Sequence, residues 1–299
     1  MKKFAMAAVA AAAMTVGVAH AYTAGTFSNG VVVPNVIHNG PTDFTAVGLV
    51  NQSGGTKGVF WTFFDQDSKH VTDGCFTMTD KDYHGFPWLE ANAGGNTAGK
   101  RGYLVFSLGG ADCTAVAPGA GSLAAHAFQV NTASSDVAYT PVIDGPLTYD
   151  AAVTDLTVLG PASVTKVAGA AQTVPAAGEV GAKFSMRYYL EGGAKTNIVV
   201  WSTGDQSGSH TVNIFDDKQG RKSVNFDLVK EELDWFDPAP IVGRPANFVD
   251  GFIEWDAALA TGFMAGTPPV AVNASVFTYS VIDAPNFGAV QTVLGFHRN

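Results

Sequence analysis

Two stretches, FFDQDSKHVTDGCF at 63–76 and IFDDKQGRKSVNFD at 214–227, indicate how the chain is organised. Each has an apolar run that ends in Phe-Asp, a polar segment, and a return to apolar residues. The Phe64-Asp65 pair precedes Phe215-Asp216 by 151 positions. Other segments match in the same order at offsets of 149 to 151: TAVGLV (45–50) with TNIVVW (196–201), RGYLVFSL (101–108) with DGFIEWDA (250–257), and AHAFQV (125–130) with ASVFTY (274–279). A nearly fixed offset predicts two tandem copies of one structural unit.

The copies have the size of ordinary domains. We predict a first repeat at 22–143 and a second at 178–299, each about 120 residues long. Residues 144–177 between them are rich in Ala, Thr, Val, Gly and Pro. This composition predicts a linker, with one candidate strand at 153–159.

Each copy has the pattern of a β protein. In the first copy, short β-branched and aromatic runs alternate with Gly, Asn, Asp and Pro, at 31–33, 45–50, 59–64, 71–78, 103–108, 127–130 and 137–142. Seven short strands with frequent turn signals predict an all-β fold of two tandem immunoglobulin-like β-sandwich domains. A closed β-barrel is the alternative architecture.

The polar tip of the first stretch holds Asp65, Asp67, His70 and Asp73. Carboxylate oxygens are calcium ligands, so a calcium site in the first copy is one interpretation. In the second copy the tip instead carries Lys218, Arg221 and Lys222, which would repel a divalent ion. We therefore predict a hairpin turn in both copies, with Asp capping backbone N–H groups. No other metal or cofactor is expected.

The first 21 residues have the features of a signal peptide. Lys2 and Lys3 are followed by an apolar segment and by Ala19-His20-Ala21, an Ala-x-Ala cleavage site. The apolar segment is about 15 residues long, short of the roughly 20 that a spanning helix needs. We predict cleavage before Tyr22 and export of a bacterial protein to the periplasm, the cell surface or the medium.

The charge of the chain argues against nucleic acid as a partner. Cleavage would lower Lys plus Arg from 17 to 15 against 26 Asp plus Glu, a net charge of −11. Such a surface repels phosphate backbones. No stretch after the signal peptide is long and apolar enough to predict a transmembrane helix.

Two cysteines remain, Cys75 and Cys113. An even number of cysteines in an exported protein predicts a disulfide. The closed loop of about 38 residues would stabilise the fold by roughly 4 kcal/mol in the chain-entropy model. A two-thiolate metal site is the alternative, but neither cysteine has a histidine at ligand spacing.

Two tryptophans take similar places in the copies. Trp88 follows HGFP and Trp235 lies in ELDWF. Because an exposed indole stacks well on a sugar ring, both are candidate ligand-contact aromatics. Packing at the end of each core is the competing interpretation. Trp61, Trp201 and Trp255 fall within predicted strands and are expected in the core.

The acidic run from Glu231 to Asp237 resembles no paired-carboxylate site, and we expect a solvated strand-to-turn segment. No nucleophile motif or phosphate loop is complete. The sequence thus favours a non-catalytic structural or interaction protein, with a protein or cell-surface partner or with itself. A carbohydrate-binding or adhesin-like module that uses Trp88 and Trp235 is the alternative, and a hydrolase of unrecognised type is a third.

Overall fold

The chain is built almost entirely from antiparallel strands, which confirms the predicted all-β class. The computed structural model describes residues 25–91, 97–133, 135–173, 182–257, 260–261 and 271–298. The predicted signal peptide, 1–21, lies outside the described residues. The strands fall into two successive sets, one on each side of the predicted linker.

The strands of the first set form two sheets. Their bounds are β1 Gly30–Ile37, β2 Asp43–Asn51, β3 Lys57–Asp65, β4 His70–Met78, β5 Asp82–Pro87, β6 Arg101–Leu108, β7 Leu123–Asn131, β8 Asp136–Thr140 and β9 Ile143–Asp144, with a short helix α1 at Trp88–Ala91. Sheet A has the order β5-β2-β7-β8, and sheet B has the order β4-β3-β6-β1-β9. The runs predicted as strands in the first copy all contribute to these sheets, and β5 is an additional strand.

The predicted linker is more structured than its composition indicated. It contains β10 Leu147–Tyr149, a 3-10 turn at Leu156–Val158, β11 Val164–Val167 and β12 Ala171–Gln172. The candidate strand at 153–159 is wrong, because Asp155 accepts a hydrogen bond from Thr157 N at 2.8 Å and caps the 3-10 turn instead. The hydrogen bond that the Asp155 side chain accepts from the nearby backbone favours the turn over a strand, despite the β propensity of the surrounding Val and Thr.

The second set of strands repeats the pairing order of the first. Its bounds are β13 Lys183–Tyr189, β14 Lys195–Ser202, β15 Gly208–Asp216, β16 Arg221–Leu228, β17 Leu233–Phe236, β18 Asp250–Asp256, β19 Ala260–Thr261, β20 Ala271–Val272, β21 Ser275–Ala284, β22 Ala289–Leu294 and β23 Phe296–Arg298. Sheet C has the order β17-β14-β21-β22, with β12 beside the first part of β21. Sheet D has the order β16-β15-β18-β13-β23. Sheet C therefore corresponds to sheet A strand by strand, and sheet D to sheet B.

Each half is sandwich-like, with one core between its two sheets. The core between A and B includes Val31, Leu49 and Phe106. The core between C and D includes Ile198 and Trp255. The predicted immunoglobulin-like topology stays a prediction.

A third core joins the halves, and we call it the junction core. Sheet B contributes Val32, Phe60 and Tyr103, and sheet C contributes Trp201 and Phe277. Successive residues of one strand face opposite cores: Ile198 and Val200 face sheet D, whereas Val199 and Trp201 face sheet B. Strands buried on both faces read as continuous apolar runs, as GVVV and VFWTFF do here. The four sheets thus lie in the order A, B, C, D.

Linker residues complete the junction core. The buried side chains are Leu147, Leu156, Leu159, Val164 and Val167. The linker is consequently part of the packed structure between the halves.

We predict that the two halves unfold as one unit and that Trp201→Ala weakens both. Trp201 is 1% exposed and its ring lies 5.9 Å from that of Tyr103 in the other half. Removing a buried aromatic side chain costs roughly 3–5 kcal/mol. Urea unfolding followed by fluorescence and circular dichroism should show one transition, shifted to lower urea. Val242→Ala, at a site 87% exposed, is the control and should have little effect. Two separate transitions, one unmoved by Trp201→Ala, would contradict a shared core.

Candidate functional site

The tip of the first hairpin is a capped turn. Asp65 Oδ1 accepts hydrogen bonds from Asp67 N at 3.0 Å and from Lys69 N at 3.2 Å. In the second hairpin Asp216 Oδ1 accepts from Lys218 N and Gly220 N at 3.0 and 2.5 Å. The predicted role of Asp as a turn cap is confirmed in both hairpins. This shared role explains why Asp65 and Asp216 correspond although the other residues of the two hairpin tips differ.

The other residues of the calcium interpretation point to separate partners. Asp67 forms an ion pair with Lys230 of the second half. His70 Nε2 lies 3.1 Å from Asp73 Oδ1, and its Nδ1 lies 2.8 Å from the carbonyl oxygen of Leu159. Across the described ranges, no group of three or more His, Cys, Asp or Glu is placed to hold a metal ion. These side chains link the hairpin to the linker and to the other half.

Cys75 and Cys113 form the predicted disulfide, across a sequence separation of 38. It ties strand β4, at the edge of sheet B, to the loop after β6. Both cysteines are partly buried against the junction core.

Trp88 is not a ligand contact. Its side chain is fully buried, and its ring packs edge-on against Trp61 at 5.8 Å and tilted against Phe63 at 4.7 Å. Trp88 begins helix α1, directly after β5, and its side chain packs in the core between sheets A and B. The competing interpretation, that this tryptophan closes the core, is the one the structure supports. Trp61, Trp201 and Trp255 are buried, as predicted.

Trp235 is half-buried, and its ring contacts the positively charged side chain of Arg101. The guanidinium carbon of Arg101 lies 4.3 Å from the centre of its ring, a cation–π contact between the two halves. Trp235 also packs against the junction core. The two candidate ligand-contact tryptophans therefore do not form an exposed pair, because Trp88 is buried and the ring of Trp235 lies against Arg101.

The acidic run is not the solvated segment that we expected. Glu232 is 4% exposed and Asp234 is 5% exposed. Tyr103 Oη donates a hydrogen bond to Glu232 Oε2 across the junction. Burial raises the pKa of Glu232 to about 8, and the Tyr103 hydrogen bond offsets part of that rise. Near neutral pH this carboxyl is largely protonated, the form that a buried acid adopts.

Asp234 is the second raised acid of the run. Burial raises its pKa to about 6, while a hydrogen bond from Lys230 N at 2.7 Å and the Lys230 charge act in the opposite direction. The sequence could not reveal either shift, because both depend on burial in the folded chain. Because Glu232 lies in the junction with a raised pKa, the stability of the junction should depend on pH.

The outward face of sheet A carries no Asp, Glu, Lys or Arg. Alternation along the strands turns Val47, Leu49 and Phe86 into the core and leaves the intervening positions outside. These outward positions, which we call the aromatic face, are Phe44, Ala46, Gly48, Val50, Tyr83, Gly85, Pro87, Ala124, His126, Phe128, Val130, Val137 and Tyr139. Tyr83, Val137 and Tyr139 are 60%, 56% and 43% exposed. An antiparallel sheet that faces water usually alternates apolar with polar residues, and this face does not.

Aromatic rings form a row across the four strands of this face. The rings of Tyr83 and His126 are 5.9 Å apart and within 17° of parallel; His126 to Phe128 is 5.7 Å and Phe128 to Tyr139 is 6.1 Å. Gly48 lies beneath the row. A Cβ at Gly48 would fall 2.4 Å from His126 Nε2 and 2.6 Å from Tyr83 Oη, so only glycine lets both rings lie over β2.

Sequence reasoning overlooked the aromatic face. The signal was present in AHAFQV, where both alternating sets of positions include apolar residues. That pattern fits a strand buried on two sides, but sheet A has a neighbouring sheet on one side only. The mismatch between an apolar face and its exposure marks the face as a candidate contact surface.

Comparison with known proteins does not assign a family. No protein-family model matches the chain, and no curated protein matches it. Among solved structures, a deletion mutant of Bacillus subtilis oxalate decarboxylase aligns at 10% identity and a TM-score of 0.20, over 84% of this chain and 66% of that one. The formate complex of Lactobacillus farciminis oxalate decarboxylase aligns at 9% identity and a TM-score of 0.19, over 84% of this chain and 74% of that one. Likeness at these scores carries no argument about fold or activity.

None of the helices in the described residues has the length and apolar character needed to cross a membrane.

We predict that Glu232 makes the protein less stable as pH rises toward 8. The folded pKa of about 8 lies above the unfolded value of 4.5, so the folded state holds a proton that the unfolded state releases. The free energy of unfolding should fall by up to about 1.4 kcal/mol per pH unit between pH 6.5 and 7.5. Glu232→Gln keeps an acceptor for Tyr103 and removes the titration, so this slope should flatten in urea denaturation.

Asp227→Asn, which removes an acid from an exposed site on sheet D, is the control and should keep the wild-type slope over that pH range. An unchanged slope in Glu232→Gln would show that Glu232 does not hold the proton.

Proposed function

We propose that the protein is an exported, non-catalytic component of the periplasm, cell surface or extracellular space that works by contact. The aromatic face carries this proposal, because an exposed sheet face without charged side chains is characteristic of an interaction surface. The disulfide between Cys75 and Cys113 supports an oxidising compartment. The junction core supports a rigid body that would present the face in one orientation.

The partner that we propose for the face is a second copy of the chain. Sheet C, whose strand order corresponds to that of sheet A, packs its own outer face on another sheet within the molecule. A face of this type is thus suited to sheet-on-sheet packing. Each copy would have the same net negative charge, and two such chains approach each other most easily through surfaces that lack acids.

The opposite end of the stack has a different character. The outward residues of sheet D include Lys183, which pairs with Glu254 at 3.5 Å and with Asp256 at 3.2 Å, and Arg187, which pairs with Asp250. This charged face does not complement the aromatic face. Pairing of two aromatic faces is therefore favoured over a head-to-tail contact, and it gives a closed dimer with two-fold symmetry.

The area available indicates a weak dimer. Four strands about 4.8 Å apart and about seven residues long, at about 3.4 Å each, cover roughly 450 Å². Stable interfaces bury about 800 Å² on each partner. We therefore expect association that depends on concentration in the micromolar range or above.

Sedimentation velocity over a series of concentrations tests this proposal. We expect the average mass to rise toward that of a dimer for the wild type, whereas Tyr83→Glu and Val137→Glu should stay monomeric because they place a charge on each side of the contact. Both positions are more than half exposed, so the variants should fold. Phe296→Glu, 74% exposed on sheet D, is the control and should behave as the wild type.

Two results would count against a second copy as the partner. If the wild-type protein stays monomeric at millimolar concentration, a second copy of the chain is excluded as the partner. A monomer that binds insoluble polysaccharide, with binding lost in Tyr83→Glu but kept in Phe296→Glu, would replace it with the carbohydrate-binding alternative on this face.

A further inference from the structure

A cleft of about 480 Å³ opens between the two halves, beside the junction core. Its polar lining comes from both sides: Asn35, Arg101, Gln129 and Asp136 from the first half, and Asn197 and Asp283 from the second. A cleft of this volume at a domain interface is of the kind that takes a small ligand.

Arg101 is the notable residue of this cleft. It begins β6, and its guanidinium is held from two directions, by the ring of Trp235 and by a hydrogen bond from Nη1 to Asn35 Oδ1 at 2.7 Å. Among the described residues, no carboxylate lies within ion-pair distance of it. Burial lowers the pKa of Arg101, and the electrostatic effects of Tyr279 and then of Asp43 act in the opposite direction.

Asp43 is occupied by other partners. Its carboxylate accepts hydrogen bonds from Gln129 Nε2 at 3.1 Å and from Asn39 Nδ2 at 2.8 Å. A largely buried cation is usually compensated by an anion in contact with it. Arg101 is oriented by a neutral amide and an aromatic ring, and it keeps N–H donors for an anion that enters the cleft.

The remaining lining suits hydroxyl groups. The amides of Gln129 and Asn197 offer donors and acceptors, and the carboxylates of Asp136 and Asp283 offer acceptors. Val199 and Val281 supply an apolar wall against which a sugar ring could lie. The two acids make the cleft selective for a ligand that places its negative charge near Arg101 and hydroxyls elsewhere.

We propose that the cleft binds a uronic acid, with its carboxylate on Arg101 and its hydroxyls on the amide and carboxylate side chains of both halves. The guanidinium geometry favours a planar carboxylate, which it can engage with two parallel hydrogen bonds. This site is separate from the aromatic face and goes beyond the function proposed above. Because residues of both halves line it, the ligand would also brace the junction.

Isothermal titration calorimetry of the full mature chain tests the proposal with four probes: D-galacturonate, D-glucuronate, and their neutral counterparts D-galactose and D-glucose. At least one acid should bind saturably and at least tenfold more tightly than its neutral counterpart. Arg101→Met, which keeps the apolar stem, should weaken the acid at least tenfold. Arg221→Met removes the same charge from an exposed site on sheet D and should leave affinity unchanged.

Two exposed positions keep the test decisive if Arg101→Met fails to fold. Asp283→Asn should tighten acid binding several-fold, because it removes a like charge from the cleft, and Asn197→Leu should weaken it. Absence of saturable binding at 10 mM, equal affinity for acid and neutral sugar, or an acid affinity that none of these variants changes would overturn the proposal.

Discussion

The double burial of sheets B and C is the constraint on which the rest of the structure depends. Each of these sheets packs on a partner sheet within its own half and on the other half through the junction core. An isolated half would expose Phe60 and Tyr103, or Trp201 and Phe277, to water. At about 25 cal/mol per Å² of apolar surface, such exposure is unfavourable enough to keep the halves together. The linker is drawn into the same core because its leucines and valines fill the remaining space.

Polar groups trapped by this packing acquire properties that exposed residues lack. Glu232 is buried by the opposing sheet, finds a hydrogen-bond donor in Tyr103, and keeps its proton near neutral pH. Arg101, at the rim of the same interface, stacks on Trp235 and faces the cleft. Both effects are consequences of joining two β units face to face, and neither exists in either half by itself.

The two ends of the stack differ because sheets A and D face only one neighbour. Sheet D has charged residues on its water-exposed face, as antiparallel sheets usually do, and they include the Lys183–Glu254 ion pair. The outer face of sheet A lacks such charged residues and instead carries aromatic rings that lie over Gly48. The proposed self-association would cover the end that is apolar and leave the charged end in water.

The sequence by itself determined the all-β class, the places of most strands, the disulfide and the turn role of Asp65 and Asp216. These features depend on local propensity, on period-two patterning, and on the chemistry of a two-cysteine chain. Only the tertiary structure decided the order of the four sheets, the burial of Trp88, the protonation of Glu232, the cleft at Arg101 and the exposure of the aromatic face. Each depends on which face of a strand meets another sheet. A run such as VFWTFF or AHAFQV indicates apolar residues on both sides of a strand. It cannot show whether both sides are covered, because the cover comes from other sheets whose position is set by the tertiary fold.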